Sequence, residues 1–286
     1  EKKADQAAVD AMREELNKLN INGKIVIGEG ERDEAPMLFI GEEVGTGDGP
    51  EVDIALDPLE GTTLTAKDMP NALAVIAMGP KDSLLNAPDV YMEKLAIGPG
   101  YPKNIIDIDM KPSEIVREIS SFKKCSLSEF KVCVLERPRH DNLIEELRVC
   151  GVKVCLISDG DVAGVIHCAE PEKTGIDLYL GQGGAPEGVL AAAALKCLGG
   201  EFQGRLIFKT EDEKNRAKKV GLENLKKKYS LEDLVKDDVI FSATGVTNGS
   251  LVSGICIRKN SIETETLLMR SKTGSIRYLK YKKITS

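Results

Sequence analysis

The stretch DIALDPLEGTT, Asp53 to Thr63, carries acids, a proline, a glycine and hydroxyls at a spacing that suits metal-assisted phosphate chemistry. An apolar strand runs into Asp57, Pro58 turns it, and Glu60 folds back as a second carboxylate. Gly61 lets backbone N–H groups approach a phosphate, and the Thr62 hydroxyl is placed to hold or deprotonate an attacking water. Between Glu29 and Glu60 the chain has eleven acids against one base, Arg32. Carboxylates crowded at a strand end repel one another unless a cation sits among them. Oxygen ligands of this kind favour Mg²⁺ or Mn²⁺, which commonly bridge to phosphate oxygens. Asp57 then bridges metals and Glu60 adds a further ligand.

Two other stretches offer anion contacts. GQGGAPEG follows the strand-like IDLYL and opens an apolar helix, which makes Gly184 a substrate contact and puts Glu187 in the first helical turn. The GxGxxG spacing of a dinucleotide-binding turn is absent. LERPRHD ends the strand KVCVL and puts Arg137 and Arg139 where their guanidinium forks can grip a phosphate that is not cleaved, although such a loop is more often simply solvated. His140 and His167 have no second His or Cys at metal spacing, so no catalytic imidazole is assigned; His140 reads as local polar structure.

The elements that must position these residues follow from periodicity. Val9, Met12, Leu16 and Leu19 recur at three and four, predicting a helix over 7–19 with Asp5 as its N-cap. KIVIG, EVDIALD and NALAVIAMG predict strands, giving an α+β first lobe over 1–124. From Cys125 onward KVCVLE, VKVCLIS and IDLYLG alternate with helices beginning near Pro138, Asp161 and Pro186, which predicts an α/β second lobe over 125–286 with a mainly parallel sheet. A charged helix is expected through EDEKNRAKKVGLENLKKKYS. The lobe joined by the strands after 238 is left open.

At 286 residues, with 42% apolar and 30% charged residues, the composition is that of a globular chain. A net charge of -7 without a long basic face argues against nucleic acid as the main partner. The seven cysteines, scattered without a CxxC pair, argue against a disulfide framework or zinc cage and for a reducing, cytoplasmic setting. Apolar runs of about seven residues are far short of the ~20 that span a bilayer. The chain opens on EKKADQAAV without an initiator Met, so preceding residues are expected.

DPLEGT resembles the metal motif of the lithium-sensitive, magnesium-dependent phosphatase superfamily. The wider series ADQAAVDAMR, IVIGEGERDEAPML, ALDPLEGTT, NAPDVYMEKL, PRHD, DGDVA, GGAPEG and FSATG closely resembles bacterial class II fructose-1,6-bisphosphatase across nearly the whole chain. The resemblance implies the layered αβαβα sandwich of sugar phosphatases and hydrolysis of the 1-phosphate of fructose 1,6-bisphosphate in gluconeogenesis. It implies that Asp5 and Glu29 hold one metal, against the N-cap reading of Asp5, and that Asp57, Glu60 and Glu187 hold the other or others. Glu43 of GEE is the rival to Glu29, being placed where inositol monophosphatases keep a ligand. Asp33 would orient water or a ligand beside Thr62, with a helix cap as its structural alternative. Substrate contacts implied are Glu60, Gly61, Thr62, Tyr91, Arg137, Pro138, Arg139, Asp159, Gly160, Asp161 and Gly184, with Asp159 and Asp161 accepting sugar hydroxyls. A homotetramer or dimer is implied too. The alternatives are sedoheptulose-1,7-bisphosphatase or inositol-phosphate phosphatase activity, or a non-catalytic sensor of phosphometabolites.

Overall fold

The computed structural model describes residues 2–30 and 37–285. In chain order it begins with α1 (Lys2–Leu16), β1 (Asn22–Ile27), β2 (Glu43–Val44), β3 (Glu51–Glu60), α2 (Thr62–Ala66) and β4 (Leu73–Pro80). The middle of the chain forms β5 (Tyr91–Ile97), α3 (Pro112–Lys123), β6 (Lys131–Leu135), α4 (Asp141–Val149), β7 (Lys153–Ile157), α5 (Asp161–His167) and α6 (Pro171–Thr174). It continues through β8 (Leu178–Gly184), α7 (Ala185–Leu198), β9 (Glu201–Ile207), α8 (Glu211–Lys219), β10 (Lys228–Ser230) and α9 (Leu231–Leu234). The C-terminal part adds β11 (Ile240–Gly245), β12 (Cys256–Arg258), β13 (Ser261–Arg270) and β14 (Ser275–Ile284). No helix among the described residues is long and apolar enough to cross a membrane.

The architecture is mixed α/β in two compact units, each with its own sheet. The first unit takes residues 1–87 and 234–286, the second 88–233. The first sheet runs β12-β13-β11-β4-β3-β1-β2 with β14 paired along β13, and of these only β1 and β3 run parallel. β3 is buried over most of its length because it is a central strand, its acids Asp53 and Glu60 included, while β4 alternates buried and half-buried positions. α1 lays Val9 and Leu16 on a core with Ile25, Leu38, Val44, Ile54 and Leu56.

The second sheet runs β10-β9-β5-β8-β6-β7. Only the β6–β7 and β6–β8 pairs are parallel, so the sheet is not mainly parallel as expected. The reason is β5: YMEKLAI inserts antiparallel between β8 and β9, and it also moves the boundary between units from 124/125 to 87/88. α3 and α4 pack Ile115, Ile119, Ile144 and Leu147 against Leu95, Val132, Val134, Leu178 and Leu180. α7, apolar all round as VLAAAAL, is buried over most of its length. The expected charged helix stops at Lys219, two residues before Gly221, which has φ +87°.

Candidate metal and phosphate site

In the first unit the acids sit where regular structure breaks. The register of β3 against β4 shifts between Asp57 and Glu60, which takes Pro58 and Leu59 out of the ladder. Asp57 Oδ1 accepts the Leu59 N–H at 3.0 Å, closing the turn. Carboxylate oxygens of Asp57 and Glu60 lie within 4.8 Å of one another, and Glu60 is buried. Gly61 follows with φ +86° as the N-terminal flank of α2, and a Cβ there would stand 2.8 Å from Leu64 Cδ1. Thr62, half-buried, opens α2.

A second pair of acids faces the same need for positive charge. Asp5 lies within the first turn of α1 and not ahead of it, so the N-cap reading fails: the helix begins at Lys2. Glu29 follows β1, and burial together with the nearby Asp5 charge pushes its carboxyl up to about 7. The rival Glu43 is exposed on β2, while its neighbour Glu42 is buried and accepts Arg13 Nε at 2.6 Å. Asp33 lies outside the described residues.

In the second unit the glycines of GQGG make room for carboxylates. A Cβ on Gly183 would collide with Asp161 Oδ2, and one on Gly184 with the Glu187 carboxylate. Glu187 is in the first turn of α7, and its Oε2 is buried without a hydrogen-bond partner among the described residues. Burial raises its pKa, opposed by the Lys94 charge. Orphaned buried carboxylate oxygen is costly by itself and becomes an asset when a cation binds. The carboxylate pair Asp57 and Glu60 in the first unit is a donor set that suits a hard divalent ion.

Asp161, 5% exposed at the start of α5, accepts Lys94 Nζ at 2.5 Å and the Tyr179 hydroxyl at 3.4 Å through Oδ2. Lys94 is fully buried and was not anticipated; the available signal was its place on the same face of β5 as Met92 and Ala96. Gly160, with φ +76°, turns the chain into α5. Arg137 donates to the Ser158 and Glu136 carbonyls and pairs with Asp159 at 3.3 Å. Pro138 opens a single 3₁₀ turn to His140. Arg139 Nε and Nη2 donate to the Gln182 carbonyl at 3.1 and 2.7 Å, and its guanidinium carbon lies 4.9 Å from the Tyr91 ring centroid.

His140 is structural, as its sequence context suggested. It is buried, its Nε2 accepts the Gln182 N–H at 2.8 Å, and its Nδ1–H therefore donates to the Leu135 carbonyl at 2.7 Å. Burial lowers its pKa and keeps the ring neutral, so it ties the arginine turn to β8 without adding charge.

Residues 1–283 match the sequence model of the family described as bacterial fructose-1,6-bisphosphatase, glpX-encoded. Fructose-1,6-bisphosphatase 1 class 2 of Escherichia coli (strain K12) is 49% identical over 288 residues, covering 96% of this chain and 85% of the relative. The class 2 enzyme of Shigella flexneri has the same identity and coverage. That of Haemophilus influenzae is 47% identical over 289 residues, covering 96% of this chain and 86% of the relative.

Proposed function

The chain belongs to the bacterial, glpX-encoded fructose-1,6-bisphosphatase family, and from that membership we propose that it hydrolyses the 1-phosphate of fructose 1,6-bisphosphate to fructose 6-phosphate and phosphate in gluconeogenesis. Membership makes it a class II sugar bisphosphatase type of enzyme; the exact substrate is our reading. The observation that carries it is the break in β3, where Asp57 and Glu60 converge ahead of the left-handed Gly61 and the Thr62 hydroxyl.

In this reading Asp5 and Glu29 hold one divalent ion, Mg²⁺ or Mn²⁺, and Asp57, Glu60 and Glu187 hold the other or others. Such ions, when bound, supply the positive charge that neutralises the phosphoryl oxygens. The chain's own groups do the rest. Thr62 orients the attacking water in line with the leaving oxygen, and Asp33 helps to orient it. Gly61 brings backbone N–H groups to the phosphate, and Glu60 faces it. Tyr91, Gly184 and the loop of Asp159, Gly160 and Asp161 read the sugar. The Arg137–Asp159 pair holds that loop, and Pro138 sets the turn from which Arg139 reaches the phosphate that stays. No covalent phosphoenzyme is needed. The αβαβα sandwich, a cytoplasmic setting and a homodimer or homotetramer belong to the same reading.

The test is phosphate release from a panel of fructose 1,6-bisphosphate, sedoheptulose 1,7-bisphosphate and inositol monophosphate, with and without Mg²⁺ or Mn²⁺. Fructose 1,6-bisphosphate is expected to give the highest kcat/KM, with fructose 6-phosphate as product. Preference for inositol monophosphate, or release of the 6-phosphate, would overturn the reading.

A further inference from the structure

β6 and β7 run parallel in continuous register, and that register sets Cys133 directly opposite Cys155. Partners across a ladder point to the same face of the sheet. Neighbouring strands lie about 4.8 Å apart, inside the range of about 4.4–6.8 Å between Cα atoms that a disulfide spans. Among the described residues no other two cysteines face each other across a ladder: Cys256 stands opposite Glu263, and Cys125, Cys150, Cys168 and Cys197 lie outside the strands.

The two thiols are not equivalent. Cys155 is half-exposed on the edge strand β7, whereas Cys133 is fully buried beneath α5. A Cβ on Gly164 of α5 would stand 3.3 Å from Cys133 Sγ, so the glycine leaves room for the sulfur. The Cys133 thiol donates to the Cys155 sulfur, and that bond, opposed by desolvation and helped by the Lys131 charge, holds the Cys155 thiol down at about 6. The same bond, together with burial, pushes the Cys133 thiol up. A solvent-accessible thiolate backed by a protonated thiol is the arrangement of an attacking and a resolving cysteine. Cys168, the sulfur near Cys133 on α5, donates to the Val165 carbonyl at 2.9 Å and is fully buried, which raises its pKa and removes it from either step.

The pair lies just before the loop that reads the sugar in the proposed function. β7 ends at Ile157, and Asp159, Gly160 and Asp161 follow it. β7 is paired with β6 at the edge of the sheet, while β6 is also held by β8, where Cys133 pairs with Tyr179. Drawing the two sulfurs from hydrogen-bond distance to a bond of about 2.05 Å in a close-packed layer therefore moves β7 rather than β6. The movement passes to Ser158 and Asp159, both held by Arg137.

We propose that Cys155 and Cys133 are a peroxide-reactive thiol pair whose reversible disulfide lowers turnover. The Cys155 thiolate attacks one oxygen of a hydroperoxide: the S–O bond forms, the O–O bond breaks, and the other oxygen leaves with the electron pair and takes a proton from solvent. The Cys133 sulfur then gives up its proton and attacks the Cys155 sulfur, so that the S–S bond forms, the S–O bond breaks and water leaves. The hydroperoxide gains two electrons and each sulfur loses one. A dithiol reverses the step by exchange, becoming a disulfide itself, and such transient sensing is the usual role of a disulfide in a reducing setting. The chemistry of the pair stands apart from the bisphosphatase reading, whereas its effect on turnover rests on that reading.

The experiment treats the reduced protein with hydrogen peroxide, alkylates the remaining thiols and maps the cysteines by peptide mass spectrometry. It also measures kcat and KM for fructose 1,6-bisphosphate before oxidation, after it, and after dithiothreitol. A peptide linked through Cys133 and Cys155 is expected, with kcat/KM lowered about tenfold or more and recovered on reduction. Cys155→Ser should turn over like the reduced parent and resist peroxide. In Cys133→Ala the sulfenic acid on Cys155 has no thiol to resolve it and should be trapped by dimedone. Absence of the linked peptide, no dimedone label on Cys155 in Cys133→Ala, or a linked protein with unchanged kcat/KM would overturn the proposal. So would an equal loss of activity in peroxide-treated Cys155→Ser. A parent protein that forms the bridge yet releases no phosphate from the bisphosphate even when reduced would refute the bisphosphatase reading while upholding the thiol chemistry.

Discussion

Glu29 is under electrostatic tension, a partly buried carboxyl beside Asp5 whose pKa rises to about 7. Because the folded, metal-free protein holds that proton where the unfolded chain has released it, stability is lost as pH rises from about 4.5 to about 7. Metal-free protein is therefore expected to melt at a lower temperature at pH 8 than at pH 6, and Glu29→Gln should flatten that slope in a calorimetric series. Divalent metal competes with the same proton and should bind more tightly at pH 8. Thr62 is the other residue whose role can be isolated. Thr62→Ala should cost on the order of 10² to 10⁴ in kcat with metal affinity nearly intact, and Thr62→Ser should retain much more activity. An alanine variant that melts early yet turns over normally would make Thr62 a turn residue and no more.

At the scale of elements, the glycines of β8 are where sequence and structure inform each other. GQGG reads in the sequence as an anion-facing turn before a helix, whereas the structure shows that Gly183 and Gly184 also vacate the space taken by Asp161 and Glu187. No strand was expected over YMEKLAI, so the burial of Lys94 against Asp161 was not foreseen; its one local trace is a lysine alternating with Met92 and Ala96. The Asp5 cap reading failed for a similar reason: helix starts are weakly specified when Lys, Ala and Asp all tolerate the first turn. The ion pair predicts a large effect. Lys94→Met leaves the Asp161 carboxylate buried without its cation and should cost about 3–5 kcal/mol in urea unfolding. Lys94→Met/Asp161→Asn should recover part of that loss, because the remaining amide is neutral. Equal stability of the single and double variants would show that packing around Lys94, not charge, is what matters.

At the scale of the whole molecule, the motifs were legible and the chain's path was not. β11 pairs Ile240 with Met78, and that pairing joins the last 53 residues to a unit begun by the first 87. Strand patterns reveal alternation, but a partner some 160 residues away leaves no local trace, which is why the lobe of the C-terminal strands could not be read and the expected boundary fell too late. The acids escaped this difficulty because their meaning is local: DPLEGT places its ligands within one broken strand. If divalent metal is what these carboxylates hold, removing it must act on the entire fold as well as on turnover. A ligand that binds the folded state alone stabilises it by mass action, about 2.7 kcal/mol at a hundredfold excess over Kd. Chelation should abolish phosphate release and lower Tm, and Mg²⁺ or Mn²⁺ should restore both in a concentration-dependent way, with Li⁺ competing for activity. Asp57→Ala should abolish activity and shrink the metal-dependent rise in Tm, whereas Thr62→Ala should lose activity and keep that rise. Full activity in protein shown by elemental analysis to be metal-free would remove the metal from the mechanism and, with it, the role assigned to every carboxylate from Asp5 to Glu187.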